Sequence, residues 1–599
     1  MNHGTRSAGR DLRNSCFEAR QERVKIAFAN VPVPFNYTFP RRILPAGKRV
    51  RITRIRFPIG LALAALGLCW GAARPQMVEA QNKAASAHKG REARVKESAR
   101  DRFAGRAAAL LETGSVGKGE WGILVSDALS GETLFEQNAD KYFVPASNMK
   151  LFTTAYALSV LGPDYRFRTT VETTGVVAAD GTLSSDLVLV GRGDPNLSNR
   201  KHPFALKEEF EGAPERVLAE LADAVVASGV KSISGDVIAD DSYFPRGRYP
   251  TGWEIDDMVW EYGAAVSAIV VSDNTVTLTL TPGGQPGAPV AVSLEPFTSE
   301  FRVENGVQTS AADSKPDLTL TREPGADVVR VTGTLPASTP SRKLLLAIEE
   351  PAVHAAVLLK QLLEQRGVVV NGQARARHQA SSDCCGGGSS GQPAEPAKPI
   401  VLAEHVSKPL SDSLKLVNKI SQNLHTELLL RTAAALSCRN AVSGSAPPAC
   451  SPQADSFLEA PAAFYKAAGI PEGDVVQSDG SGLSRHDLIT PRATVALLRY
   501  AAGQSWFPTF YDSLPVAGID GTLEDRLKNT LAAGQVHAKS GSVEHVRSRS
   551  GYAETPGGRK LIFSFLANNQ GPKNRETTEA LDELTLAMIT EFDQTPHKK

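Results

Sequence analysis

The sequence predicts an α+β fold in which one domain of helices and strands is split by a mostly β insertion. The two flanking regions, 100–165 and 400–595, each combine helical periodicity with a few strand-like runs. Between them, 166–378 consists largely of short β-like runs punctuated by Gly, Pro and Asp. A Ser/Gly-rich linker follows at 379–399. We therefore expect the flanking regions to form one domain and the middle region to be inserted into it.

The length and charge of the chain limit its organisation and its partners. At 599 residues the chain exceeds a single compact core, so two or three domains are expected. Its formal net charge of +1 lacks the basic excess that is typical of nucleic-acid binders. No nucleic-acid partner is therefore expected.

Residues 1–80 read as a basic N-terminal extension followed by a signal peptide or a membrane anchor. Residues 1–56 are rich in Arg and Lys, and the apolar run Phe57–Ala73 follows directly. Small residues after that run give cleavage points behind Ala73 or Ala80. The run is about 17 residues long, the short limit for a spanning helix, so membrane association through it stays open. We expect an exported protein, periplasmic or otherwise extracytoplasmic.

Two cysteines bracket a loop in the C-terminal region. Cys438 and Cys450 enclose a Ser/Pro/Gly/Ala-rich excursion, 439–449, between two helical stretches. Export would place them in an oxidising compartment. A disulfide closing this loop is predicted, and two free thiols are the alternative.

The N-terminal flank begins with a helix, a hairpin and a second helix. Arg100–Glu112 has helical spacing, and Trp121–Gln137 alternates around the turn at Ser130-Gly131. The next helix begins at Ser147 and ends near Gly162.

The remaining elements follow the same contrast between flanks and insertion. Within the insertion, the strand-like runs are Phe167–Val177, Leu187–Val190, Val237–Ile238, Val276–Leu280, Val328–Thr332 and Leu344–Ile348, with one helix at Ala352–Arg366. In the C-terminal flank, helices are predicted at Ser411–Ala435, Asp455–Ala468, Thr490–Ala502 and Arg575–Phe592, and strands at Val536–Lys539 and Leu561–Ala567.

The first chemical motif is Ser147-Asn148-Met149-Lys150 at the start of an apolar helix. Positions i and i+3 share a helix face, so the serine Oγ and the lysine Nζ can meet. A serine hydroxyl becomes a nucleophile when a neighbouring base removes its proton, and a lysine can do this if its pKa is depressed. Other Ser-x-x-Lys patterns occur in the chain, at 86–89, 115–118 and 198–201, and none opens an apolar helix.

Two further motifs make the first one specific. Ser421-Gln422-Asn423 interrupts a long helical stretch, and Lys539-Ser540-Gly541 lies at the end of the predicted strand Val536–Lys539. Glycine at that place lets a substrate backbone approach closely. The order Ser-x-x-Lys, Ser-x-Asn, Lys-[Thr/Ser]-Gly resembles the active-site set of penicillin-recognising enzymes.

The chain resembles the D-Ala-D-Ala carboxypeptidase/endopeptidase family, the low-molecular-mass class C penicillin-binding proteins. Besides the three motifs it carries Gly193-Asp194-Pro195, Gly235-Asp236, the run Asp479–Arg485 (DGSGLSR) and the run Leu514–Leu523 (LPVAGIDGTL). About 270 residues separate the first two motifs, which is similar to the interrupted penicillin-binding domain of that family. The resemblance covers about residues 100–595.

The resemblance implies a serine β-lactamase/penicillin-binding (transpeptidase-like) domain split by the insertion. It implies that Ser147 attacks the D-Ala-D-Ala carbonyl, Lys150 accepts its proton and Ser421 passes a proton to the leaving amine. Substrate would be held by Asn423, Lys539, Ser540, Gly541 and Ser542. The implied partners are peptidoglycan muropeptides as substrates and β-lactam antibiotics as covalent inhibitors. No cofactor or metal is implied, and the histidines show no metal-ligand spacing.

Two positions depart from the family pattern, and two other functions fit the same fold. Gln422 fills the middle of the second motif, where no substrate contact is expected, and Ser540 replaces the commoner Thr but keeps a hydroxyl. A β-lactamase is one alternative, although the long insertion and the lack of an obvious deacylating Glu motif speak against it. A non-catalytic wall-binding protein is the other, and the intact motif residues speak against that.

Overall fold

The computed structural model describes residues 98–112, 114–202, 210–378, 398–441, 456–572 and 574–593. The predicted signal or anchor segment and almost all of the predicted linker lie outside these residues. Within the described part of the chain, no helix is both long enough and apolar enough to cross a membrane.

The N-terminal flank contains two helices and a β-hairpin. Its elements are α1 (Ala99–Leu111), β1 (Glu120–Asp127), β2 (Thr133–Gln137) and α2 (Met149–Leu161). Ser98 caps α1, since its side chain accepts a hydrogen bond from the backbone N–H of Asp101. The predicted helix, hairpin and second helix are all present.

The insertion contains thirteen strands and two helices among its described residues. In chain order these are β3 (Arg168–Thr173), β4 (Thr182–Leu183), β5 (Leu187–Val190), α3 (Arg216–Ala227), β6 (Ser232–Ile233), β7 (Val237–Asp240), β8 (Thr275–Thr281), β9 (Ala291–Glu295), β10 (Arg302–Ser310), β11 (Asp317–Thr321), β12 (Val328–Pro336), β13 (Arg342–Ala347), α4 (Pro351–Gln365), β14 (Val369–Val370) and β15 (Ala374–Arg377).

The C-terminal flank contains most of the helices and three long strands. Its elements are β16 (Ile400–Val406), α5 (Leu410–Lys415), α6 (Asn423–Ala441), α7 (Ala462–Ala467), β17 (Val475–Val476), β18 (Leu488–Ile489), α8 (Pro491–Ala502), α9 (Phe507–Ser513), β19 (Val536–Val543), β20 (Val546–Glu554), β21 (Lys560–Asn568) and α10 (Asn574–Glu591).

A five-stranded antiparallel sheet joins the two flanks. Its strand order is β19-β20-β21-β1-β2, so the C-terminal strands continue directly onto the N-terminal hairpin. Side chains alternate between the two faces, as strand geometry requires. Ile123 and Val125 pack with α1 and α10 on one face, whereas Leu124 packs with α2, α6 and α8 on the other. Helices therefore cover both faces of one sheet, which is an α+β arrangement.

The insertion has two separate cores. One is the five-stranded sheet β15-β7-β5-β3-β16, which packs against α3 and α4. The other is formed by two three-stranded sheets, β13-β8-β9 and β10-β12-β11. Strand β16 pairs antiparallel with β3, so residues 400–406 belong to the sheet of the insertion although they were assigned by sequence to the C-terminal flank.

The structure differs from the sequence-based elements in several places. Helix α3 was not predicted, although Val217, Leu218, Leu221 and Val225 follow a helical period and are buried. The helix expected over Asp455–Ala468 is confined to Ala462–Ala467 among the described residues. Strand β20 was not predicted because the polar residues Ser548, Arg549 and Ser550, which are buried on the two covered faces of the sheet, break the apolar pattern.

Candidate active site

The start of α2 brings Ser147 and Lys150 into contact. Ser147 lies in the 3₁₀ turn Ala146–Asn148 that precedes the helix, and Lys150 Nζ lies 3.1 Å from Ser147 Oγ. Ala146 adopts a left-handed backbone conformation, with φ of 47°, immediately before Ser147. Lys150 is completely buried, while Ser147 is only half-buried and faces a cleft.

The contacts of Lys150 decide where its lone pair can point. Its Nζ also lies 2.6 Å from Asn423 Oδ1 and 2.7 Å from the carbonyl oxygen of Ser481. Both of these oxygens can only accept hydrogen bonds. A neutral amine has two protons, and these two acceptors use both of them. In this neutral form the lone pair would face the third neighbour, the hydroxyl of Ser147, at 3.1 Å.

The second motif lies where a helical stretch breaks, as the sequence predicted. After α5 and a π-helical turn, Leu416–Ile420, the chain reverses at Ser421, which has φ of 69°, and α6 begins at Asn423. Asn423 donates from Nδ2 to the carbonyl oxygen of Tyr262 at 2.8 Å. Its amide is therefore held at both ends, by Lys150 and by the insertion.

The third motif lies within β19 and not at a strand end. The predicted strand Val536–Lys539 continues to Val543 because Ser540, Gly541 and Ser542 pair with β20. Lys539 is completely buried and donates to Ser421 Oγ at 3.0 Å and to the carbonyl oxygen of Ser540 at 2.7 Å.

The hydroxyl and glycine of the third motif shape the edge of the site. Ser540 Oγ lies 2.6 Å from Thr522 Oγ1, in the run Leu514–Leu523. A Cβ on Gly541 would lie 2.2 Å from Ser548 Oγ and 2.9 Å from the backbone nitrogen of Ser147. Only glycine therefore lets β19 pass this close to Ser147.

The two buried lysines have depressed pKa values. Burial lowers the pKa of Lys150 to about 8, and the carboxyl groups of Asp479, Glu427 and Asp487 limit the decrease. Burial, together with repulsion from Lys150, holds the pKa of Lys539 well below its usual value. Near neutral pH this arrangement makes a neutral lysine accessible, which proton abstraction from a serine requires.

The loop Asp479–Arg485 supplies one of the oxygen atoms that contact Lys150, the carbonyl oxygen of Ser481. The Asp479 carboxylate accepts hydrogen bonds from the Ser481 hydroxyl and from the backbone N–H groups of Gly482, Leu483 and Ser484. It also accepts one from Trp253 Nε1, which belongs to the insertion. These bonds set the direction of the Ser481 carbonyl that contacts Lys150.

One cleft of about 520 Å³ is lined by residues of the first two motifs and by Ser542, which directly follows the third motif, whereas Lys539, Ser540 and Gly541 do not line it. Ser147, Ser421, Asn423 and Ser542 lie on its walls. Its rim carries both acidic and basic side chains, which are Glu254, Asp256, Asp257, Glu544, Arg485 and Arg547. Three of the acidic groups and Tyr262 come from the insertion.

The sequence motifs did not predict that the insertion contributes residues to this cleft. Nothing in the segment 251–262 matches one of the three motifs, and its acidic run Glu254–Asp257 was the only available signal. One other expectation stays untested. Cys438 lies in α6 but Cys450 lies outside the described residues, so their disulfide remains a prediction.

Comparison with known proteins supports the resemblance found in the motifs. The model of the D-Ala-D-Ala carboxypeptidase 3 (S13) family matches residues 104–588. A D-alanyl-D-alanine carboxypeptidase of Actinomadura sp. is 34% identical over 485 residues, 79% of this chain and 82% of that protein. The D-alanyl-D-alanine carboxypeptidase DacB of Haemophilus influenzae is 26% identical over 477 residues, 76% of this chain and 87% of its own.

A solved structure supports the fold. The crystal structure of penicillin binding protein 4 (dacB) from Haemophilus influenzae superposes with a TM-score of 0.64 at 23% sequence identity, covering 81% of this chain and 98% of that one. The predicted penicillin-binding, β-lactamase-like fold is thereby confirmed.

Proposed function

This chain belongs to the D-Ala-D-Ala carboxypeptidase 3 (S13) family and is a peptidase of the carboxypeptidase class, and we propose that it acts through an acyl-enzyme on Ser147. The observation that carries the proposal is that side chains of the three motifs contact one another beside one cleft. Lys150 contacts both Ser147 and Asn423, and Lys539 contacts Ser421. A nucleophile, a buried base and a second proton-bearing pair are the parts that acyl transfer needs.

In the proposed acylation step, Lys150 takes the proton of Ser147 as Oγ bonds to the carbonyl carbon of the penultimate D-Ala. The negative charge on the carbonyl oxygen is accepted by the backbone N–H groups of Ser147 and Ser542. Such an oxyanion hole contributes on the order of 10²–10³ in rate. The C–N bond then breaks, and Ser421 passes a proton to the departing amine and regains one from Lys539 or Lys150. Water later attacks the ester by the reverse route, which releases the shortened peptide.

Substrate orientation follows from the polar groups around Ser147. The terminal carboxylate of the substrate would lie against Lys539, Ser540 and Gly541, because the lysine amine and the serine hydroxyl are carried by adjacent residues of β19, which is an edge strand of its sheet. The Asn423 amide would meet the peptide group of the stem. Lys539 can serve both the carboxylate and Ser421, since it already lies 3.0 Å from Ser421 Oγ.

Cleavage of D,D-cross-links is the finer part of the proposal. In that reaction the leaving amine belongs to a neighbouring stem peptide in place of free D-Ala, and the bonds made and broken are otherwise the same. The cleft is open to solvent, and its rim carries charges of both signs, which suits a peptide that bears both amino and carboxyl groups. Peptidoglycan muropeptides lie outside the cytoplasm, so the proposal includes export by the signal within residues 1–80.

Inhibition by β-lactams is part of the same proposal. A β-lactam ring amide mimics the D-Ala-D-Ala peptide bond, and its carboxylate would bind where the substrate carboxylate does. The fold relative from Haemophilus influenzae was also solved in complex with a β-lactam. Slow hydrolysis of the ester would leave a penicilloyl group on Ser147.

The test is intact-mass and peptide-mapping analysis after incubation with penicillin, together with D-Ala release from muropeptides. We expect one adduct, on Ser147, and Ser147→Ala should lose both the adduct and D-Ala release while remaining folded. Cross-linked muropeptides as substrate test the endopeptidase activity. An adduct on another serine, or D-Ala release by Ser147→Ala, would contradict the mechanism. Rapid turnover of penicillin without action on muropeptides would instead indicate a β-lactamase, and neither activity would indicate a wall-binding protein.

A further inference from the structure

A buried carboxylate of the insertion lies against the second motif. Asp273 is 2% exposed and accepts hydrogen bonds from the guanidinium of Arg200, which is also in the insertion. On its other side it accepts a hydrogen bond from His425 Nε2 at 2.8 Å, and Gln422 Nε2 lies 3.5 Å away. Both of these residues belong to the segment that carries Ser421 and Asn423.

The backbone around Asp273 is held in an unusual conformation. Ser272, Asp273 and Asn274 have φ values of 52°, 54° and 55°, which is a left-handed region that side chains with a Cβ disfavour. Ser198 Oγ accepts a hydrogen bond from the Asp273 N–H at 3.0 Å, and Asn274 donates to the carbonyl oxygen of Ala265 at 2.9 Å. Strain of this kind persists where surrounding contacts enforce it, and such places are enriched near functional sites.

The catalytic side of the contact is equally constrained. Gln422 Oε1 accepts a hydrogen bond from the backbone N–H of His425 at 3.0 Å, across the first turn of α6. Asn423 lies between Gln422 and His425 and contacts Lys150 Nζ. Ser421 precedes them in a left-handed conformation. A change in the position of this first turn would therefore move Ser421 and Asn423 together.

We propose that Asp273 is a positioning residue for the Ser421-Gln422-Asn423 motif and that it acts through His425 and Gln422. The insertion then contributes to the geometry of the catalytic centre. This inference rests on the proposed acyl-enzyme function. Burial alone would raise the pKa of Asp273, but Arg200 and His425 hold it well below its usual range. The carboxylate therefore stays charged throughout the pH range in which an enzyme of this kind would be assayed.

The primary test is Asp273→Asn, which keeps the size of the side chain but removes its charge. The measured quantities are the rate constant of acylation by penicillin and the dissociation constant of the initial complex, each per titrated active site. We expect the acylation rate constant to fall on the order of 10–100-fold, with a much smaller change in the dissociation constant. A purely structural role would lower the melting temperature but leave the rate per active site unchanged.

The matched control is Asp236→Asn. Asp236 is another aspartate of the insertion that pairs with an arginine, Arg375, at 2.6 Å, and it contacts no residue of the three motifs. Its variant should acylate at the wild-type rate. An Asp236→Asn variant that is slowed as strongly as Asp273→Asn would overturn the specific role of Asp273.

A second pair of variants decides the case if Asp273→Asn does not fold. His425→Leu removes the donor to Asp273, and His425→Gln places an amide donor close to the position of Nε2. We expect a slow His425→Leu variant and a substantial recovery in His425→Gln. Equal rates in both variants, or wild-type rates in Asp273→Asn, would overturn the inference. A wild-type protein that is not acylated at all would instead overturn the proposed function.

Discussion

Gly482 offers the sharpest test of how the site is built. It has φ of 80°, and a Cβ at this position would lie 1.9 Å from the carbonyl oxygen of Ala146 and 3.1 Å from Met149 Cβ. Real Cβ atoms do not approach closer than about 3.0 Å, so Gly482→Ala must displace one of the two backbones by at least about 1 Å. Ala146 immediately precedes Ser147, so we expect the displacement to reach the proposed nucleophile directly.

Gly482→Ala should have two effects, one on the free energy of unfolding and one on the rate of acylation, and their magnitudes can be worked out separately. A left-handed conformation costs a residue with a Cβ about 1–2 kcal/mol, wherever it occurs. Displacement of a catalytic group by about 1 Å costs on the order of 10²-fold in rate. We therefore expect Gly482→Ala to lose more than 2 kcal/mol of unfolding free energy and about 100-fold in acylation by penicillin.

Gly558→Ala is the matched control. Gly558 has φ of 84° in the turn between β20 and β21, and a Cβ there would meet no atom within 4 Å. It should carry the conformational cost alone, with acylation at the wild-type rate. The assays are urea unfolding and stopped-flow acylation, normalised to titrated sites. If Gly482→Ala acylates as fast as Gly558→Ala, the close approach of the Asp479–Arg485 loop does not position Ser147.

The other predictions concern the base, its supporting loop and the disulfide. Lys150→Ala should fold yet lose acylation, and a near wild-type acylation rate would show that Lys150 is not the base. Because the base must be neutral, acylation should rise with pH through about 8 and then level off, with an apparent pKa that belongs to the coupled lysines; a flat profile from pH 6 to 10 would contradict this. Asp479→Asn cannot satisfy every donor that now faces the carboxylate, so urea unfolding should show a loss of about 2–3 kcal/mol, and an unchanged midpoint would refute it. Non-reducing peptide mapping should find Cys438 linked to Cys450, a cross-link of roughly 3 kcal/mol, and recovery of both free thiols would exclude it.

The contact between Ser147 and Lys150 was predictable from the sequence because it depends on local spacing. Ser147 and Lys150 are three residues apart at a helix start, and helix geometry alone brings their side chains together. The break at Ser421 was visible as polar residues in an apolar helical pattern. The hairpin Trp121–Gln137 was predicted from alternating apolar residues around a turn, and the structure has it as β1 and β2.

The tertiary structure alone decided how the insertion serves the site. Tyr262 meets Asn423 through a backbone carbonyl, and such a contact leaves no trace in the residue type. Asp273 lies 149 positions from Gln422 and 152 from His425, so neither periodicity nor motif spacing links it to the second motif. The depressed pKa of Lys150 likewise depends on burial by distant segments and on carboxyl groups from α6 and from 479–487. Local patterns in a single sequence do not reveal these contacts, because folding brings together groups that lie far apart in the chain.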